Sequence, residues 1–160
     1  METLRFFMGN SEHNLDDKGR VIVPSKFRDL VDPEADGEGF IVVEGPEGCL
    51  FLYTPLEWMK LCRQFSKLPQ GSPELRSFQR KWHGNAEHLT LDKQGRVQVP
   101  KRLRDHAGLE KEAVLAGCFD RIELWSKPRW DKAQNSAEST YGAQMQAFLS
   151  GEASEETSEE

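Results

Sequence analysis

The sequence predicts an α+β, mainly β fold in which two copies of one short motif share a single core, with linking and C-terminal helices. Three observations predict it. First, Leu15 to Leu30 returns as Leu91 to His106 at an offset of 76, with nine of sixteen positions identical. Self-similarity of this kind marks a duplicated structural unit. Second, each copy spans about fifty residues, near the lower limit for an independent core, so two copies around one core is the economical arrangement. Third, each copy has a glycine-bearing turn followed by alternating valines, the period-two pattern of a strand with one buried face.

The elements follow in order. Residues 5–9 mix aromatic and polar side chains and predict an initial strand, and Ser11 to Leu15 lead into the motif. In Asp16-Asp17-Lys18-Gly19 and Asp92-Lys93-Gln94-Gly95, Asp suits the first position of a type I turn and Gly the fourth. Gly takes the positive φ that short hairpin turns often need without steric cost. Val21 and Val23 then point one way and Ile22 the other. The second copy keeps Val97 and Val99 but has Gln98 between them, so the valines are expected inside and the middle position nearer solvent. Pro24 and Pro100 end these strands because proline lacks the ladder donor. Short helices are expected at Ser25–Val31 and Lys101–Ala107, the second closed by Gly108, with Phe27 and Leu103 as equivalent anchors.

Beyond these helices the offset becomes 72. Val42 matches Val114, Gly45 Gly117, Leu50 Ile122, Leu52 Leu124, Tyr53 Trp125 and Trp58 Trp130. The four-residue difference falls around Asp32–Gly37, in a loop, where length changes cost little. Strand pairs are expected at Phe40–Val43 with Cys49–Tyr53, joined through Gly45–Gly48. Their equivalents are Ala113–Ala116 with Arg121–Trp125, joined through Gly117–Asp120. Thr54-Pro55-Leu56-Glu57 is a capping box with proline at the first helical position. Trp58, Leu61, Cys62, Phe65 and Leu68 follow at helical spacing, and a second helix opens at Ser72-Pro73-Glu74 with Leu75, Phe78 and Trp82 on one side. Ser126-Lys127-Pro128-Arg129-Trp130 opens the equivalent helix in the second copy. The chain is thus expected to comprise a first repeat at 4–54, a helical linker at 55–84 and a second repeat at 85–131. A C-terminal helix at 132–149 carries Tyr141, Met145, Phe148 and Leu149, and a disordered acidic tail fills 150–160.

Net charge is -6, which by itself argues against a nucleic-acid partner. Its distribution matters more. Glu152, Glu155, Glu156, Glu159 and Glu160 lie in a tail with no basic residue after Lys132, and the rest of the chain is near neutral. No apolar run approaches the ~20 residues that cross a bilayer, and the N-terminus lacks the core of a signal peptide. A cytoplasmic protein is expected, with Cys49, Cys62 and Cys118 reduced and mostly buried. There is no nucleophile elbow, P-loop or zinc pattern. His13, His83, His88 and His106 read as structural or surface residues, so no catalysis, cofactor or metal is expected.

The two Gly-Arg turns would occupy symmetry-equivalent places. Near Arg20 lie Lys18, Lys26 and Arg28; near Arg96 lie Lys93, Lys101, Arg102 and Arg104. Arginine suits both phosphate contacts and bidentate contacts to guanine edges. A plainer reading stands beside this one. Asp16 and Arg20 can pair to hold the turn, and helix-borne Arg28 and Arg104 can serve the helix surface. Asp16 and Asp92 read as turn formers, with the wrong sign for DNA.

Two copies of Asp-x-x-Gly-Arg-Val-x-Val-Pro, each followed by a short Arg-bearing helix, resemble the MraZ family of bacterial transcriptional regulators. The resemblance covers about residues 4–131, including Gly108-Leu109-Glu110-Lys111-Glu112 and Phe119-Asp120-Arg121-Ile122-Glu123-Leu124-Trp125. Each copy is similar to an AbrB-type swapped-hairpin DNA-binding unit. The resemblance implies a tandem AbrB-like pseudo-dimer within one chain, ring-like homo-oligomers and association with the nucleoid. It also implies binding to short repeated boxes in double-stranded DNA upstream of the cell-division and cell-wall gene cluster, the protein's own gene included. By residue, it places Arg20 and Arg96 at the DNA-contacting Gly-Arg position and Lys18 at the preceding basic position. Gln94 is the counterpart of Lys18, with Lys93 beside it. Lys26, Arg28, Arg102 and Arg104 complete the expected DNA-binding set. Asp29 and Asp105 stand where the AbrB type has a second basic residue. The alternative is an oligomeric protein-interaction scaffold that keeps the fold without specific DNA binding, and the acidic net charge is its support.

Overall fold

The structure is a computed structural model, and it describes residues 5–151. The chain divides into two units, one reaching Lys127 and one from Pro128 onward. Both copies of the repeat lie in the first unit, and they exchange strands. Strand β1 (Phe7–Asn14) of the first copy pairs antiparallel with β7 (Glu112–Phe119) of the second. Its equivalent, β5 (Glu87–Leu89), pairs with β3 (Phe40–Glu44) of the first copy. With β4 (Leu50–Tyr53) and β8 (Ile122–Ser126) the sheet runs β1-β7-β8-β4-β3-β5. From either edge, the first strand of one copy is followed by the hairpin of the other. At the centre Phe51 faces Glu123, flanked by Leu50 opposite Leu124 and Leu52 opposite Ile122. These partners are interchanged by the offset of 72, so a pseudo-two-fold axis passes through the middle pair.

The same two-fold organises a second, two-stranded sheet. Strands β2 (Arg20–Ile22) and β6 (Arg96–Gln98) pair antiparallel with Val21 opposite Val97. Val21, Val23, Val97 and Val99 are buried, whereas Ile22 is half-buried and Gln98 exposed, as the valine–glutamine contrast predicted. One core takes side chains from both copies, including Phe27, Leu50, Leu52, Leu103, Leu115 and Leu124. Neither hairpin could bury its apolar face alone, and exchange lets each cover the other.

The short helices occupy equivalent places. Helix α1 (Ser25–Arg28) is a single turn, shorter than expected, and Leu30 and Val31 pack against the core beyond it. A further turn, α2 (Pro33–Asp36), was not legible in the sequence. Asp32 caps it by accepting from the Glu34 N–H at 3.0 Å, and Asp36 accepts from the Asp32 N–H at 2.8 Å and pairs with Arg5. Helix α5 (Lys101–Ala107) matches the expectation, with Gly108 in the left-handed conformation closing it. Between the copies, α3 (Pro55–Ser66) and α4 (Pro73–Trp82) are capped by Thr54 and Ser72, whose hydroxyls accept from the Glu57 and Leu75 N–H groups. Their facing sides meet through Trp58, Phe65 and Trp82: ring centroids lie 5.2 Å apart for Trp58–Trp82 and 5.7 Å for Phe65–Trp82. Leu68 is exposed because the helix ends before it.

Two strand boundaries differ from expectation for one reason. β1 reaches Asn14, and β7 runs through Gly117, Cys118 and Phe119, which the sequence assigned to a loop. Each lengthens because the other supplies a partner from Phe7 opposite Phe119 to Asn14 opposite Glu112. Gly117 permits the approach, since a Cβ there would sit 2.3 Å from the Met8 nitrogen. The second unit carries α6 (Lys127–Ser150), one continuous 24-residue helix where the sequence suggested an opening helix and then another at 132–149. The tail expected to be disordered lies outside the described residues from 152 on. Among the described residues no helix is long and apolar enough to cross a membrane, and no group of three or more His, Cys, Asp or Glu could hold a metal ion.

Candidate nucleic-acid interface

Each Gly-Arg turn is built around its aspartate. Asp16 Oδ1 accepts from the backbone N–H groups of Lys18 and Arg20, both at 2.9 Å, and Oδ2 accepts from Arg20 Nε at 2.6 Å. Asp92 repeats the pattern with the N–H groups of Gln94 (2.9 Å) and Arg96 (3.0 Å) and with Arg96 Nε (2.8 Å). The pairing of Asp16 with Arg20 that the sequence allowed is therefore present, in both copies. It does not hide the arginines, which remain partly exposed.

The N–H donors of Arg20 and Arg96, first among several hydrogen bonds, hold the Asp16 and Asp92 carboxyls below the ordinary aspartate range. A carboxyl depressed on folding stabilises the fold above its unfolded pKa, and that contribution is lost as pH falls through the folded value. In a pH titration by NMR, the Gly19 and Gly95 amides are therefore expected to move at lower pH than the amides beside an aspartate without such donors. Movement at the same pH as those amides would mean that the tethers do not form.

The turns of the two copies are fastened to each other. The Val23 N–H donates to the Gly95 carbonyl and the Val99 N–H to the Gly19 carbonyl, both at 2.9 Å. Arg28 Nε donates to its own Val23 carbonyl at 2.7 Å, and its guanidinium lies against Gly95 of the other copy. Arg104 Nε donates to the Val99 carbonyl at 3.0 Å and covers Gly19. Gly19 and Gly95 have φ of 75° and 78°, and a Cβ on either would come within 2.7 Å of the arginine above it. Glycine is thus required twice over, by backbone conformation and by the cross-copy arginine.

With the valines turned inward, strand alternation turns Arg20, Ile22, Arg96 and Gln98 outward on the β2–β6 ribbon. Arg20 lies opposite Gln98 and Ile22 opposite Arg96. Arg96 Nη1 is 3.8 Å from Asp16 Oδ2, so the two arginine turns adjoin. Lys18 and Lys93 are exposed on the turns, and Gln98 Nε2 donates to the Lys18 carbonyl at 3.1 Å. The other predicted cations have further partners. Lys26 Nζ donates to the Asn10 carbonyl at 2.9 Å. Its equivalent Arg102 donates to the Asn85 carbonyl and pairs with Glu87, both at 3.1 Å. Each thus braces the region of its own copy's exchanged strand. Lys101 pairs with Asp105 at 2.8 Å. Ile22 and Gln98 were not singled out as site residues. The contrast between them at the middle strand position is the signal in the sequence that places them on this face.

Cys49, Cys62 and Cys118 are free; burial pushes the thiol of Cys49 up to about 12 and that of Cys118 to about 11, so both stay protonated. Each imidazole has a local contact: His13 with Ser11, His83 with Cys62, His88 with the Glu38 carbonyl and His106 with the Gly45 carbonyl.

The family model of the MraZ protein matches the chain over residues 6–81 and again over 83–149, once for each copy. This chain belongs to the MraZ family. Among its curated relatives, the transcriptional regulator MraZ of Lachnoclostridium phytofermentans is 47% identical over 125 residues, covering 78% of this chain and 84% of that protein. The proteins of the same name from Pediococcus pentosaceus and Halothermothrix orenii are 44% and 43% identical over 135 residues, covering 84% of this chain and 91% of each relative. The strand-exchanged pair of repeats described above is thus the architecture of a MraZ chain, and both arginine turns fall inside the matched segments.

Proposed function

We propose that this protein is a sequence-specific DNA-binding transcriptional regulator, acting on short repeated boxes that include those upstream of its own gene in the cell-division and cell-wall cluster. One observation carries the reading: two arginine turns, locked together across a two-fold, stand side by side on the outward face of a two-stranded ribbon. The major groove admits a ribbon of that width, and arginine is the residue best suited to guanine edges there. Arg20 and Arg96 read bases, while Lys18 and Lys93 on the turns meet phosphates. Arg28, Arg104, Lys26 and Arg102 add positive potential around them while holding the turns and exchanged strands. The relatives' name, transcriptional regulator, points the same way. The protein works in the cytoplasm at the nucleoid as a ring-like homo-oligomer, in which weak contacts to spaced boxes become one multivalent interaction.

The test is fluorescence anisotropy with DNA from upstream of the protein's own gene, against scrambled DNA, across a salt series. Binding is expected to prefer the native DNA and to weaken steeply with salt as counterions are released. Equal weak binding to both would overturn the reading. Besides the acidic net charge, a scaffold reading has a structural observation in its favour: a cleft of about 420 Å³ lined by Phe6, Leu56 and Phe119, all exposed. Assembly and capture of a protein partner without DNA binding would favour it.

A further inference from the structure

The ribbon face is symmetric in its arginines and asymmetric between them. Under the two-fold, Arg20 exchanges with Arg96, but Ile22 exchanges with Gln98. All four side chains lie on the same outward face, and no other residues of the two paired strands do. The two middle side chains offer opposite chemistry to a base pair. Ile22 has only apolar surface, which suits the methyl of a thymine. Gln98 has an amide, which can bind the edge of an adenine through both its oxygen and its nitrogen.

Gln98 is also held in place. One of its N–H bonds is used on the Lys18 carbonyl, at the turn of the other copy. That contact leaves the second N–H and the carbonyl oxygen for a partner, with the amide plane already set. A pre-set amide loses less freedom on binding than a free one. The turns add a second asymmetry of the same sense, because Lys18 has Gln94 as its counterpart.

We propose that Ile22 and Gln98 are specificity-determining residues, and that they make each ribbon read a non-palindromic box. Arg20 and Arg96 contact guanines related by the dyad. Between them, the half-site under Gln98 presents adenine, and the half-site under Ile22 presents a thymine methyl. The inference rests on the DNA-binding reading above and deepens it.

The experiment is selection of full-length protein on a duplex library with a randomised box, sequenced after binding, for the wild type, Gln98→Ile and Ile22→Gln. The wild type is expected to select a box whose two middle half-site positions differ. Gln98→Ile should lower the preference for adenine at its half-site by about tenfold. Ile22→Gln should introduce an adenine preference at the other half-site, making the middle of the selected box symmetric. Gln98→Ala serves as a second variant that adds no exposed apolar surface; it should lose the adenine preference while keeping the guanines. Unchanged preferences in all three variants, with native DNA still favoured over scrambled, would overturn this assignment and leave the DNA-binding reading standing. Failure of the wild type to distinguish any DNA would remove both.

Discussion

Replacing Arg20 and Arg96 together by alanine is expected to abolish discrimination between native and scrambled DNA while the fold survives. Each arginine stands on the outward ribbon face, tied at Nε to an aspartate of its own turn. Nε is one of several guanidinium donors, so the tether orients the side chain, and on the proposed reading the terminal nitrogens make the base contact, although Arg96 Nη1 also lies 3.8 Å from Asp16 Oδ2. A good bidentate contact is worth roughly 1–3 kcal/mol of discrimination, so losing two removes about 2–6 kcal/mol, or between tens-fold and ten-thousands-fold. The fold should tolerate the change. The ion pairs face solvent, where such pairs add little, and both aspartates keep their backbone N–H donors. Anisotropy against the two DNAs, with circular dichroism and thermal melting as controls, reads the result. Undiminished preference for native DNA by a folded double variant would sink the assignment. Residual, non-selective binding that still falls with salt is expected from Lys18, Lys93 and their neighbours.

The second large effect is on stability. Phe27→Ala should destabilise the first unit by about 3–5 kcal/mol, the range for removing a buried phenylalanine. Phe27 is fully buried and meets Phe7 edge to face at 5.9 Å. Helix α1 has only four residues and no side-chain cap at its N-terminus, and Phe27 is its one buried side chain, the others holding by polar contacts at the surface. The consequence crosses to the other copy, because Arg28, next in the chain, covers Gly95. The measurement is chemical and thermal denaturation, with a fall in melting temperature of roughly 10–20 °C and chemical-shift changes at Gly95 as well as in α1. A loss below about 1 kcal/mol, or changes confined to the first copy, would mean that the core re-closes around the gap without engaging the interlock. Leu103→Ala, the equivalent change in α5, should act in the same direction on the Gly19 turn.

Much of this was legible in the chain. The duplication gave the repeat, the valine alternation gave the buried face, and the proline, glycine and capping residues gave most element boundaries. These are local signals, and they work because turn and cap chemistry depends on neighbours a few residues away. The same locality explains what was missed. The ends of β1 and β7 depend on a strand about a hundred residues distant, and the single turn α2 on contacts to Arg5 and Asp32.

For the site, the sequence by itself determined that two Gly-Arg turns exist, that each is built on an aspartate, and that the strand behind each has one apolar face. It left two readings of those arginines side by side, the ion pair and the DNA contact. Only the tertiary structure decided that the turns of different copies adjoin and that Arg28 and Arg104 reach across to the opposite glycines. It also showed that Ile22 and Gln98 share the outward face with Arg20 and Arg96. The physical reason is strand exchange. Which residues meet is set by pairing between copies, about the dyad through Val21 and Val97, and nothing within a single turn encodes where its partner will lie.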